Sequence, residues 1–197
     1  MKTVYLDAFA GISGDMSLGA LADLGVPLEV YRRVAEDLGL SEVEISASRT
    51  ERKGIGAMKI SVRAQERGVV RTYANIKSLI RTSALPERVK EGSLRIFALI
   101  AEAESRIHSR NIDQVHFHEL GSADTMVDVA GTVAGLDYLG AEEVMCSPLP
   151  MGTGMVKTHH GVLPVPAPAV VEILKDVPVY SSGIPTELVT PTGAAIA

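Results

Sequence analysis

Hydrophobic and polar positions change period several times along the chain, and each change predicts an element. Thr3–Asp7 reads as a short strand, because TVYLD is rich in β-formers and stops on an acid. AFAGISGDM then breaks the pattern, and a helical run follows through Leu24. Leu28, Val30, Tyr31, Val34, Ala35 and Leu38 recur at helical spacing, which predicts a second helix over Pro27–Leu38, stopped by Gly39. From Val43 the period drops to two. Val43, Ile45 and Ala47 alternate on one arm and Met58, Ile60 and Val62 on another, so Val43–Val62 predicts two paired strands. Their connection, RTERKGIGAM, offers Arg49, Arg52 and Lys53 to an anion, although a solvated hairpin tip is the plainer explanation of such a charge run.

Gln65–Thr72 is a polar link, after which Tyr73–Thr82 and Pro86–Ser109 read as helices. In the longer one Val89, Leu94, Phe97, Ile100, Ala101, Glu104 and Ile107 track one mostly apolar face, and Pro86 suits its first turn. His108 falls in the last turn, where partial positive charge is favoured without a metal. Val115–His118 alternates as an extended segment, and a helix follows over 121–139 with Ser122 as its N-cap. Glu143–Ser147 predicts a short, buried strand. Gly152 and Gly154 mark a turned or mobile loop, and Pro164, Pro166 and Pro168 stiffen the approach to a helix from about Ala167. Thr190, Thr192 and Gly193 predict the start of one more helix, which the four residues left cannot complete, so the expectation is a fragment of a longer protein. The fold class is α/β. A Gly-rich loop, helix pair and two-stranded arm occupy 1–71, and a helical middle with a later α/β portion occupies 72–197.

Composition narrows the function. With 46% hydrophobic residues over 197 positions the chain can bury an ordinary core. A net charge of -5, no Trp and three Phe leave neither a basic field nor stacking aromatics for nucleic acid. No apolar run approaches membrane-spanning length, and the N-terminus lacks a signal-like core, so a cytoplasmic location is expected. The single cysteine, Cys146, excludes an intrachain disulfide or a Cys-rich metal site, and reads as a small core hydrophobe.

The chemistry concentrates in VHFHELGSADTMVD, Val115–Asp128. Alternation puts His116 and His118 on one face of the extended segment at chelate spacing, with Glu119 beside them. Asp124 and Asp128, at i and i+4, share a helical face that continues as Gly131 and Gly135, bare enough for something to approach the backbone closely. Neutral imidazole suits nickel, zinc, copper and iron, and a carboxylate can complete the shell or orient a ligand. The plainer alternative is a solvated strand edge with acids complementing a helix N-terminus. His159 and His160, in a second Gly-rich loop, offer that cluster a partner. Near the N-terminus, Gly11 and Gly14 with Ser13 between them can aim backbone N–H groups at a phosphate. Asp15 opposes a bare phosphate, and a bridging cation held with Asp7 would reconcile the two. A simple capped turn explains the same residues.

Four ordered motifs, YLDAFAGISGDM at 5–16, VHFHELGSADTMVD at 115–128, THHGVLPVPAPAVVEIL at 158–174 and TPTGAA at 190–195, resemble the nickel-insertion (LarC) proteins, specifically their N-terminal half. The resemblance implies a pyridinium-3,5-bisthiocarboxylate mononucleotide that receives nickel between its sulfurs, with a nickel–carbon bond on the ring, to make the nickel-pincer cofactor of lactate racemase. It implies CTP with Mn or Mg, bound by a C-terminal half that is absent here, and as partners the lactate racemase apoprotein or cofactor-pathway enzymes. On this reading Asp7, Gly11, Ser13, Gly14 and Asp15 serve the nucleotide end. His116, His118, His159 and His160 hold nickel, while Glu119, Asp124 or Asp128 orients ligands or takes the ring proton. A nickel metallochaperone and a zinc hydrolase are the alternatives, and the residues leave a homo-oligomer open.

Overall fold

A computed structural model describes residues 1–40, 42–64, 71–117 and 120–197. Its strands are β1 (Thr3–Leu6), β2 (Val43–Arg52), β3 (Ile55–Ala64), β4 (Arg71–Thr72), β5 (His116–Phe117), β6 (Glu143–Cys146), β7 (Leu149–Met151), β8 (Met155–Thr158), β9 (Gly161–Pro164) and β10 (Val179–Ser181). Its helices are α1 (Gly14–Asp23), α2 (Leu28–Asp37), α3 (Tyr73–Thr82), α4 (Glu87–His108), α5 (Ala123–Tyr138), α6 (Pro168–Ile173) and α7 (Pro191–Ile196). The mixed α/β class expected from the sequence holds.

Local chemistry sets most boundaries. Thr72 and Asn75 close a reciprocal capping box at the start of α3, with Asn75 N donating to Thr72 Oγ1 at 3.2 Å and Thr72 N to Asn75 Oδ1 at 3.1 Å. Lys53 and Gly54, at φ 52° and 84°, form a two-residue turn, so β2 and β3 absorb most of the expected loop and pair from Val43↔Ala64 to Arg52↔Ile55. The second histidine loop folds into a β8–β9 hairpin, Thr158 opposite Gly161, with His159 and His160 in its turn. The tail forms the short helix α7, because Thr190 Oγ1 accepts from Gly193 N at 3.1 Å.

The larger core gathers α1 to α5 around the β2–β3 arm. Its axis is α5, apolar on nearly every side. Gly131 and Gly135 are indeed approached closely, but by protein: a Cβ on Gly131 would lie 2.9 Å from Leu18 Cδ2, and one on Gly135 would lie 3.1 Å from Leu21 Cδ1. The expected bare face is therefore a helix-packing groove, filled by α1 and by Tyr31 of α2, whose hydroxyl donates to Leu18 O at 3.0 Å. A smaller core joins Ala8, Ile12, Leu149, Val170, Val189 and Ala194. Against it lie two parallel ribbons, β1 with β6 and β7 with β10. Contrary to the expectation of a buried strand, β6 leaves Val144 and Met145 41% and 52% exposed, because neither face of its two-stranded ribbon is fully covered among the described residues.

Candidate functional site: two cavities beside one helix start

The Gly-rich loop and the tail motif are laced together. Ile12 N donates to Leu188 O at 2.9 Å, and Thr190 N donates to Ile12 O at 3.2 Å. Gly11, at φ +101°, and Gly193 permit this approach, since a Cβ would stand 2.0 Å from Leu188 O at the first and 2.1 Å from Ile12 O at the second. The lacing brings the starts of α1 and α7 beside the start of α5 and the flank of β3. Between them lies a cavity of ≈ 530 Å³, bordered by Ser13, Asp15, Asp124, Asp128, Thr190 and Thr192 on one side and by Lys59, Ser61 and Arg63 on the other.

Within this cavity Ser13 caps α1, accepting from Met16 N at 3.4 Å and donating to the Asp15 carboxylate. Ser122 takes the N-cap position of α5, its hydroxyl 3.2 Å from that of Thr125, and Asp124 Oδ1 accepts from Thr125 N at 2.9 Å. Asp128 is the unusual member. Its side chain fills the space that Gly14 leaves open, where a Cβ would come within 2.4 Å of Oδ2. Its Oδ1 is buried with no hydrogen-bond partner among the described residues. Burial pushes the carboxyl up to about 8, helped by the negative charges of Asp15 and then Asp124. At neutral pH this group holds a proton and can exchange it.

The histidines assemble elsewhere. His108 ends α4 with Nε2 3.1 Å from Glu104 Oε2 one turn back. His160, carried by the β8–β9 turn, brings its ring centroid to 4.9 Å from that of His108. Both border a cavity of ≈ 400 Å³ whose walls include Ile107, Phe117, Val156 and Leu163. His116, opposite Thr72 in the short β4–β5 pair, shares with them a second space of ≈ 220 Å³. His159 is exposed and borders neither. Among the described residues no three His, Cys, Asp or Glu side chains form a group that could hold a metal ion.

The structure thus unites Ser13, Gly14, Asp15, Asp124 and Asp128, and separately brings His160 beside His116. Asp124 and Asp128 border the first cavity and not the histidine spaces, and the carboxylate paired with His108 is Glu104. Asp7, exposed after β1, borders neither cavity; with burial as the larger cause, its charge raises the Cys146 thiol. His118 and Glu119 lie outside the described residues.

Residues 4–197 match the family described as nickel insertion protein. The chain belongs to that family. A relative from Geotalea uraniireducens (strain Rf4), named for nickel insertion, is 50% identical over 198 residues, covering 100% of this chain and 51% of the relative. The pyridinium-3,5-bisthiocarboxylic acid mononucleotide nickel insertion protein of Desulfitobacterium hafniense (strain DSM 10664 / DCB-2) is 48% identical over 196 residues, covering 100% of this chain and 49% of that one. A third, from Wolinella succinogenes, is 48% identical over 199 residues. The chain spans about half the length of these curated relatives. No solved structure matches. No helix among the described residues is long and apolar enough to cross a membrane.

Sequence reasoning left four side chains outside the site. Glu104 and His108 carried a signal, since i,i+4 spacing stacks them on one helical face, but one helical turn alone does not show that a distant hairpin delivers His160 to it. Lys59 and Arg63 carried another: with Ser61 they alternate along β3 opposite the apolar Met58, Ile60 and Val62. The cations proposed from sequence, Arg49, Arg52 and Lys53, sit toward the far end of that arm and do not border the cavity.

Proposed function

We propose that this chain handles nickel and the nucleotide substrate in the insertion of nickel into pyridinium-3,5-bisthiocarboxylic acid mononucleotide. One observation carries the reading beyond family membership: the imidazole-lined cavity and the carboxylate cavity are lined by successive residues of one helix start. Pro191 borders the first, while Thr190 and Thr192 border the second. A substrate lying across this helix start sets its ring beside the imidazoles and its phosphate toward Lys59 and Arg63, with its ring proton within reach of the carboxylate group.

In this mechanism His108 and His160, with His116 close by, receive the nickel ion and hand it to the two sulfurs of the substrate. Two imidazoles would suffice for a transfer site, because the substrate brings its own sulfur ligands to the metal. Glu104 orients His108. Lys59 and Arg63 hold the substrate phosphate, and Ser13 and Asp15 position the sugar end. Forming the nickel–carbon bond replaces a ring proton by the metal, and the ionised form of Asp128, the minor form at neutral pH but a strong base, accepts that proton. His118, Glu119 and His159 remain candidates on the metal side, and CTP with Mn or Mg belongs to the half of the protein that this chain does not span.

Activation of apo-lactate racemase tests the reading, using nickel, CTP and the mononucleotide with this chain, with the remaining half of a relative, or with both. Activation only when both are present is the expected result. CTP-dependent activation by this chain alone would place the whole reaction within it and overturn the division of labour. No activation by the pair, while the intact relative activates, would overturn the assignment of nickel and substrate handling to this half.

A further inference from the structure

The β1–β6 ribbon has one face against protein and one largely bare, while in the second ribbon β7 is buried and β10 is exposed throughout. Leu6, Cys146, Leu149 and Met151 pack on the smaller core. On the other side Tyr5 and Met145 stand opposite each other in register, 59% and 52% exposed. Phe9 follows at 74%, and Val179, Tyr180 and Ile184 extend the exposed apolar surface along the β10 side at 47%, 44% and 47%. With Val177 these make seven of the eighteen exposed large hydrophobics among the described residues, gathered on three short segments of chain. Parallel strands are ordinarily covered on both faces, and a two-stranded ribbon does not stand alone in water. Every residue of β10 is exposed, and among the described residues its only strand partner is β7. Its other edge is open to strand addition.

What covers this face is indicated by length. This chain accounts for 51% and 49% of two relatives that it matches from end to end, so a polypeptide about as long again accompanies the same surface in them. In those proteins the second half is tethered to the first and meets this face at an effective concentration of order millimolar, an advantage that a second copy of this chain does not have. We propose that the outer face of β1, β6 and β10 is the docking surface for the other half of the protein, which adds a strand along β10 and covers Tyr5, Phe9 and Met145. The inference rests on family membership and length, not on the nickel chemistry.

The test mixes this chain with the separately expressed remaining half of the Desulfitobacterium hafniense relative and follows complex formation by sedimentation velocity at micromolar concentrations. Tyr5→Asp and Met145→Asp are exposed on the face, so folding should persist, and circular dichroism and urea midpoints check that it does. Ile55→Asp, 75% exposed at the tip of the β2–β3 arm, is the off-face control. The expected result is a 1:1 complex, weakened at least tenfold by either face substitution and unchanged by Ile55→Asp. Equal affinity in all variants overturns the proposal. So does the absence of any complex with the unaltered chain, or self-association of this chain alone that the face substitutions abolish, which would assign the surface to a second copy.

Discussion

Replacing Asp128 by Asn keeps the shape of the neutral acid and removes its titration. The carboxyl stands at about 8 in the folded protein against an ordinary 3.8. Below pH 4 both folded and unfolded chains hold this proton. Between roughly pH 4 and 8 the unfolded chain has released it and the folded chain keeps it, so the group's contribution to stability falls as pH rises and is lost once pH passes the folded value. At 1.36 kcal/mol per pH unit the ceiling on that loss is about 6 kcal/mol. The cavity is open to water and the residue is only half-buried, so a realised loss of about 2–3 kcal/mol is the better expectation. Urea midpoints measured at intervals from pH 5 to 9 give the answer as the difference between wild type and Asp128→Asn, which cancels the histidines and other titrating groups. Wild type should lose about 2–3 kcal/mol relative to the variant across that range. Parallel curves would refute the account of Asp128 as a buried, proton-holding carboxyl, and with it the proposed proton acceptor.

Gly14→Ala should displace the Asp128 side chain that lies where its Cβ would go, and cost about 1–3 kcal/mol by urea titration while moving the pH dependence toward that of Asp128→Asn. Phe117→Ala removes a buried ring that packs edge-on to Tyr73 at 6.4 Å and borders the histidine-lined cavity, and should cost about 3–5 kcal/mol. Thr190→Ala deletes the cap of the short helix between the two cavities. It should cost about 1 kcal/mol, measured in the same titration.

How far the sequence foretold this arrangement depends on the range of the interaction responsible. The larger helices, the β2–β3 arm and the α7 start were legible because capping residues, turn glycines and apolar period act within a few residues. The pairing of Asp15 with Asp124 and Asp128 was legible only as separate motifs, since the contact is made by Ile12 lacing to Leu188 and Thr190 across the chain. The bare face of α5 is legible as a close approach but not as a contact with α1 and Tyr31, because glycine in a helix signals proximity without naming the neighbour. His108 was placed correctly in its last turn. Its meeting with His160 depends on a hairpin closing between Thr158 and Gly161, which the histidines and prolines of that loop do not specify.

The central claim is that the paired imidazoles receive nickel, and calorimetric titration of Ni²⁺ into this chain tests it most directly. Wild type should bind, and His108→Ala and His160→Ala should each weaken binding at least about tenfold, with a smaller loss on Glu104→Gln because that side chain only orients His108. Unchanged nickel affinity in both histidine variants would contradict the account.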